Sequence, residues 1–121
     1  MNESEIKALF DEWNSALQTG DPKKVVSLYE AESILLPTVS NKVRHDPQEK
    51  EDYFENFLAK DPQGTIDEAN IRIFGDIAIN SGVYTFSFKD GARVQARYTF
   101  VYRKGGEGWK IIEHHSSAMP E

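Results

Sequence analysis

Adjacent imidazoles at His114 and His115, in the closing segment WKIIEHHSSAMP, are the side chains best suited here to proton transfer or metal ligation. Neighbouring side chains of a strand point to opposite faces, so at most one of the two can look into a given cavity. The same alternation sends the rings apart and makes the pair a poor chelate, so no metal is expected. A strand-end histidine that bonds a carbonyl or faces water is the plainer reading. Tyrosine hydroxyls at Tyr53, Tyr84, Tyr98 and Tyr102 could orient a ligand or hold a developing oxyanion, though aromatic residues at strand spacing also build cores. Asp52 could act as an acid or base, but helical periodicity puts it on the wet side of its segment. Arg72 and Arg97 could hold an anion; their alternation with polar residues suits an ion-paired outer face as well.

Positioning these groups falls to three helices and an antiparallel meander. Ile6, Leu9, Phe10, Trp13, Ala16 and Leu17 recur at helical spacing, with Asn2 and Glu5 as a capping arrangement and Gly20 at the far end. Asp21-Pro22 starts a short second helix whose buried side is Val25, Val26, Leu28 and Tyr29. Residues 33–37, SILLP, read as a strand, and residues 38–44 as a loop. Asp46-Pro47 with Glu49 opens a third helix, predicted over 47–59, and DPQG at 61–64 ends it. Strands follow: Ile71 and Ile73 before a Gly75-Asp76 hairpin, then 77–88, an Asp90-Gly91 hairpin, 93–103, a GGEG turn and 109–116. Helices first and a meander second is the α+β order, with helices covering one face of a strongly bent antiparallel sheet.

Composition narrows the function classes. The chain has 121 residues, 39% apolar and 12% aromatic, which suits one domain, 1–121, with its own core. Twenty acids against 14 bases give a net charge of −6, which disfavours a nucleic-acid partner. Cysteine is absent, so a disulfide framework and a thiolate nucleophile are both excluded. The amino-terminal stretch has no basic start with an apolar run, and no window approaches the length of a membrane span, so a cytoplasmic protein with no membrane partner is expected. No cofactor motif is present.

The segment 93–103 alternates most clearly. Arg93, Gln95, Arg97, Thr99, Val101 and Arg103 share one face, and Val94, Ala96, Tyr98, Phe100 and Tyr102 the other. The aromatic face must meet the helices or line a cavity. The mixed face, with Arg93, Arg97, Thr99, Val101 and Arg103, suits a subunit interface, with a solvated surface as its alternative.

Taken together, FDEWNSAL, GDPKKVVSLY, ILLP followed by SNKVR, EDYFENFL, IRIFGD, GVYTF, RYTFVYRKGGEGW and HHSSAMP resemble the association, or hub, domain of calcium/calmodulin-dependent protein kinase II and its stand-alone bacterial relatives. The likeness covers essentially the whole chain. It implies a cone of the cystatin-like superfamily that includes nuclear transport factor 2, with a pocket at its wide end, and self-association into dimers or larger rings. In animal kinase hubs that pocket resembles an anion site of three arginines, whose positions fall here on Tyr84, Phe100 and Ser116, so the basic site is not carried over. His115 stands where the family has a histidine, and Glu113 where it has another. The pocket is therefore expected to be aromatic, formed by Tyr84, Tyr98, Phe100, Tyr102 and His115. Kinase chemistry is excluded, because the glycine-rich phosphate loop, the lysine and the metal-binding aspartate are missing.

Two functions remain. One is a hub-like domain that assembles with copies of itself and has a pocket for a small organic ligand. The other is an isomerase, cyclase or dehydratase of the same superfamily, using His115 as base and Tyr98 to hold an oxyanion. Assembly is favoured, because neither a buried Asp/His nor a Tyr/Asp pair can be read from the spacing.

Overall fold

The computed structural model describes residues 3–37 and 42–120. Helix α1, Glu3–Gln18, buries Ile6, Phe10, Trp13 and Leu17, a four-three-four spacing that keeps them on one stripe. It ends where Gly20, at φ +73°, donates to the Leu17 carbonyl. The expected Asn2 cap lies outside the described residues. Asp21 caps α2, Pro22–Val26, by accepting from the Lys23 amide at 3.0 Å.

Strand β1 spans Tyr29–Leu36 and so begins four residues before the expected 33–37. Leu28 and Tyr29 fit a helical stripe locally, but Ile111 donates its amide to the Leu28 carbonyl and Tyr29 pairs with Ile111. A tertiary ladder thus overrides local spacing. Of the expected loop 38–44, residues 38–41 lie outside the described residues, and Arg44 bridges back to Leu35.

Helix α3, Pro47–Leu58, is held by Asp46, which accepts from the Glu49 amide at 2.8 Å, while the Glu49 carboxylate accepts from the His45 amide. Replacing Asp46 by alanine is expected to cost about 1 kcal/mol, read as a shift in the denaturation midpoint. Lys50 of the same helix is buried, its ammonium donating to the carbonyls of His45 and Ala31, and burial lowers its pKa.

Strands β2, Gln63–Phe74, β3, Ile77–Ser87, β4, Arg93–Gly105, and β5, Gly108–Ala118, complete a curved sheet of order β1-β5-β4-β3-β2. It is antiparallel except that β1 runs parallel to β5. The two expected hairpins turn at Gly75-Asp76 and Asp90-Gly91. Strand β2 starts well before Ile71, and the supposed turn glycine Gly64 lies within it. A side chain there would crowd Phe10 and Phe86, and Asn14 bonds both the amide and the carbonyl of Gly64. As an edge strand, β2 tolerates the polar run 63–70 that hid it from pattern reading.

Ala96, Tyr98, Phe100 and Tyr102 are buried beneath α1, and Arg93, Gln95, Arg97 and Arg103 are exposed on the opposite face, as the alternation of β4 requires. Trp13 is the centre of the core, with ring centroids 5.3 Å from Phe100, 5.4 Å from His114 and 6.0 Å from Phe86. Each such buried ring stabilises by roughly 2 kcal/mol. Asp67 is an extra residue of β2 and Ile112 of β5, and the parallel β1–β5 pairing also shifts register between Tyr29 and Ile34.

Candidate functional site

The bulge at Ile112 decides which imidazole turns inward. Tyr102 pairs with Ile111 but Val101 with Glu113, so Ile112 has no opposite number and the alternation of β5 is reset. Counting by twos from buried Ile111 would turn Glu113 and His115 inward. Instead His114 is 3% exposed, and His115 lies exposed on the outer face opposite Thr99. The candidate base His115 is thus absent from the cavity wall, and His114 takes that position.

A cavity of about 110 Å³ opens between α3 and the inner face of β3, β4 and β5. Its wall is aromatic, with Trp13, Phe54, Phe57 and Phe86, and its polar end is His114, Tyr84 and Ser116. Pro37 is a buried part of the wall, and the exposed Lys60 and Val94 stand at the rim. Of the five residues expected to line it, Tyr84 does so. Phe100 stacks on His114 at 4.1 Å, with Tyr98 and Tyr102 on either side of it, so these three form the packing behind the wall. Tyr84, Phe100 and Ser116 come together: Tyr84 donates to Ser116 Oγ at 2.7 Å, and Phe100 stacks on the neighbouring imidazole of His114.

A directed hydrogen-bond chain sets the state of His114. Trp13 Nε1–H donates to Tyr29 Oη at 3.1 Å, which leaves the Tyr29 proton for His114 Nδ1 at 2.8 Å. With the proton assigned that way, Nδ1 accepts and Nε2 carries the hydrogen, 3.4 Å from Tyr84 Oη, which itself donates to Ser116 and so has a lone pair to receive it. Burial drives the pKa of this imidazole down to about 3, with a smaller contribution from neighbouring His115. Burial likewise raises the phenols of Tyr29 and Tyr84, and that of Tyr53 to about 12, so all three keep their protons. The site offers neutral donors and acceptors, with no strong base at neutral pH.

The other candidates lie elsewhere. Tyr98 donates to Asn80 Oδ1 at 2.8 Å, deep in the core, and the buried hydroxyl of Tyr102 finds no hydrogen-bond partner among the described residues. Asp52 is exposed and accepts from Gln48. Arg103 forks onto the Glu30 carboxylate. Among the described residues no three His, Asp or Glu side chains cluster in a way that could hold a metal, and no helix is long and apolar enough to cross a membrane.

On the outer face, Arg72, Ile79, Val101 and Glu113 lie side by side across β2, β3, β4 and β5. Ile34 of β1 extends that row beyond Glu113. Thr99 and Val101 are half-buried, and Phe74, opposite Ile77, is 59% exposed.

Helices cupped by a bent sheet with an apolar cavity at one end define a cystatin-like protein of the nuclear transport factor 2 type. Solved relatives bear this out. An NTF2-like protein of unknown function from Pseudomonas putida superposes with TM-score 0.85 at 19% identity, over 98% of this chain and 87% of that one. An NTF2-like protein from Streptomyces avermitilis, provisionally named a dehydratase, gives 0.81 at 18%, over 98% and 96%. At these identities the fold alone is shared. A structure from Xanthomonas campestris, described as a calcium/calmodulin-dependent protein kinase II association domain, is 52% identical with TM-score 0.96, over 100% of this chain and 90% of that one. The family of the calcium/calmodulin dependent protein kinase II association domain matches residues 2–120. The chain belongs to that family. Among proteins of curated function, none matches it.

Proposed function

We propose that this chain is a self-associating, hub-like module that forms homodimers, or rings of dimers, through the outer face of its sheet, and that its cavity takes a small organic molecule. The row Arg72–Ile79–Val101–Glu113 carries the first part. Its centre is apolar and its ends are oppositely charged. A two-fold axis through the Ile79–Val101 pair sets Arg72 beside the partner's Glu113 and apolar against apolar, which makes the patch complementary to itself. Arg93, Arg97 and Thr99 border the same surface, and Arg103 flanks it while held by Glu30.

Native mass spectrometry at micromolar concentration is expected to give a species of at least twice the 13.8 kDa chain mass. Val101→Glu would bury an unpaired carboxylate against its own copy and weaken the dimer by about a hundred-fold or more. Arg72→Glu should weaken it as well, and adding Glu113→Arg should restore it. A wild-type monomer at tens of micromolar would end this reading.

An isomerase- or dehydratase-type activity has less support. His115 faces outward, and the inward imidazole, with its pKa near 3, is too weak a base to abstract a proton beside a carbonyl.

A further inference from the structure

We infer that the cavity beside His114 selects a neutral, single-ring aromatic molecule carrying one oxygen that accepts a hydrogen bond. This class rests on reading the cavity as a ligand site, and not on assembly.

The ring is specified by size and wall. About 110 Å³ is room for one aromatic ring, and Trp13, Phe54, Phe57 and Phe86 offer both faces and edges for stacking. Phe57 and Phe86 already stand edge to face at 5.4 Å, so a flat guest continues an existing arrangement. The oxygen is specified by the hydrogen-bond chain. Assigning the Tyr29 proton to Nδ1 puts the hydrogen of His114 on Nε2, the nitrogen that faces Tyr84, and both residues line the cavity. Its contact with Tyr84 Oη, at 3.4 Å, is longer than an ordinary N–H···O bond. That N–H is underused, and an acceptor oxygen on a guest can engage it.

Neutrality follows from the charges around the site. The deep end holds a neutral imidazole and two hydroxyls, with no cation among them. Lys60 stands at the rim and is exposed, where water screens it. A carboxylate drawn to the polar end would lose its hydration with no ion to replace it, and an ammonium would fare no better. The site thus departs from the anion pocket that the hub resemblance would otherwise imply.

Titrating the intact protein with phenol, toluene and benzoate at neutral pH tests this, with binding heat and the His114 ¹⁵N signals as readouts. Phenol should bind, shift the Nε2 resonance and leave the tautomer unchanged. Toluene, lacking the oxygen, should bind about tenfold more weakly, and benzoate more weakly still. Ala96→Phe, which fills the cavity from β4, should abolish phenol binding. Should that variant misfold, Val94→Trp at the 43% exposed rim position narrows the mouth without touching the core and should weaken phenol binding. Benzoate binding at least as tightly as phenol overturns the ligand class while leaving a ligand site. Absence of binding by all three, or phenol binding unchanged in both variants, overturns the site as well.

Discussion

Acidification from pH 6.5 to 4.5 is expected to lower the stability of this protein about tenfold in the folding equilibrium per pH unit, and His114 is the cause. In the unfolded chain its imidazole takes up a proton near the ordinary value of 6.5. In the folded protein it stays neutral down to about 3, because charging it would strand a cation among Trp13, Phe100 and two phenols. The unfolded state therefore binds more protons throughout this window, and proton uptake pulls the equilibrium toward it. Over the two units the loss is roughly 2 to 3 kcal/mol. Glu30 and Glu49 have lowered pKa values, Glu30 chiefly through Arg103 and Glu49 through the His45 amide, so their contribution is present at neutral pH. It is lost only as pH falls below about 4.5, which leaves the higher window to the imidazole. Urea titrations at successive pH values give the slope. In His114→Gln, weaker at neutral pH, the slope between 6.5 and 4.5 should flatten; an unchanged slope would refute the assignment.

Gly82→Ala is expected to be the most damaging small substitution, costing about 3 kcal/mol or preventing folding. A β-carbon at Gly82 would sit 1.9 Å from the Glu68 carbonyl oxygen and 2.8 Å from its carbon. Both are backbone atoms, and no rotamer change can move them aside. The crowding arises from the bulge at Asp67, after which Glu68 pairs with Val83 rather than with Gly82. Tyr98 Oη also donates to that carbonyl at 3.3 Å, which ties the bulge to the core. Gly105→Ala is the matched control, since nothing lies within 4 Å of its β-carbon and it should change stability by less than about 0.5 kcal/mol. Equal denaturation midpoints for the two variants would show that β2 yields more readily than its ladder implies.

The parts of the fold visible in the amino-acid order are those where one local rule acts alone. The period of β4 holds from Ala96 to Arg103 because the helices cover one face of it and leave the other more open. Asp21-Pro22 and Asp46-Pro47 announce helix starts because a cap and its amides are close in sequence. Where a distant partner decides, local rules mislead. Tyr29 leaves its helical stripe for Ile111, 82 positions along the chain (111 − 29), and the polar first half of β2 is strand only because β3 is there to pair with it. Of the cavity wall, Tyr84 is the one expected residue that lines it, and the imidazole is His114 because of an extra residue that no composition or periodicity announces.

That extra residue gives the last strand a competitor with the same sequence. Laid flat without its kink, β5 would slip by one position, and Glu113 would enter the oily interior in place of the imidazole. A naked carboxylate there is so unfavourable that the flat arrangement excludes itself. Fidelity in this strand is therefore policed by a side chain that never touches the cavity it protects, and an apolar residue in its place would remove the guard while leaving the cavity wall as it is.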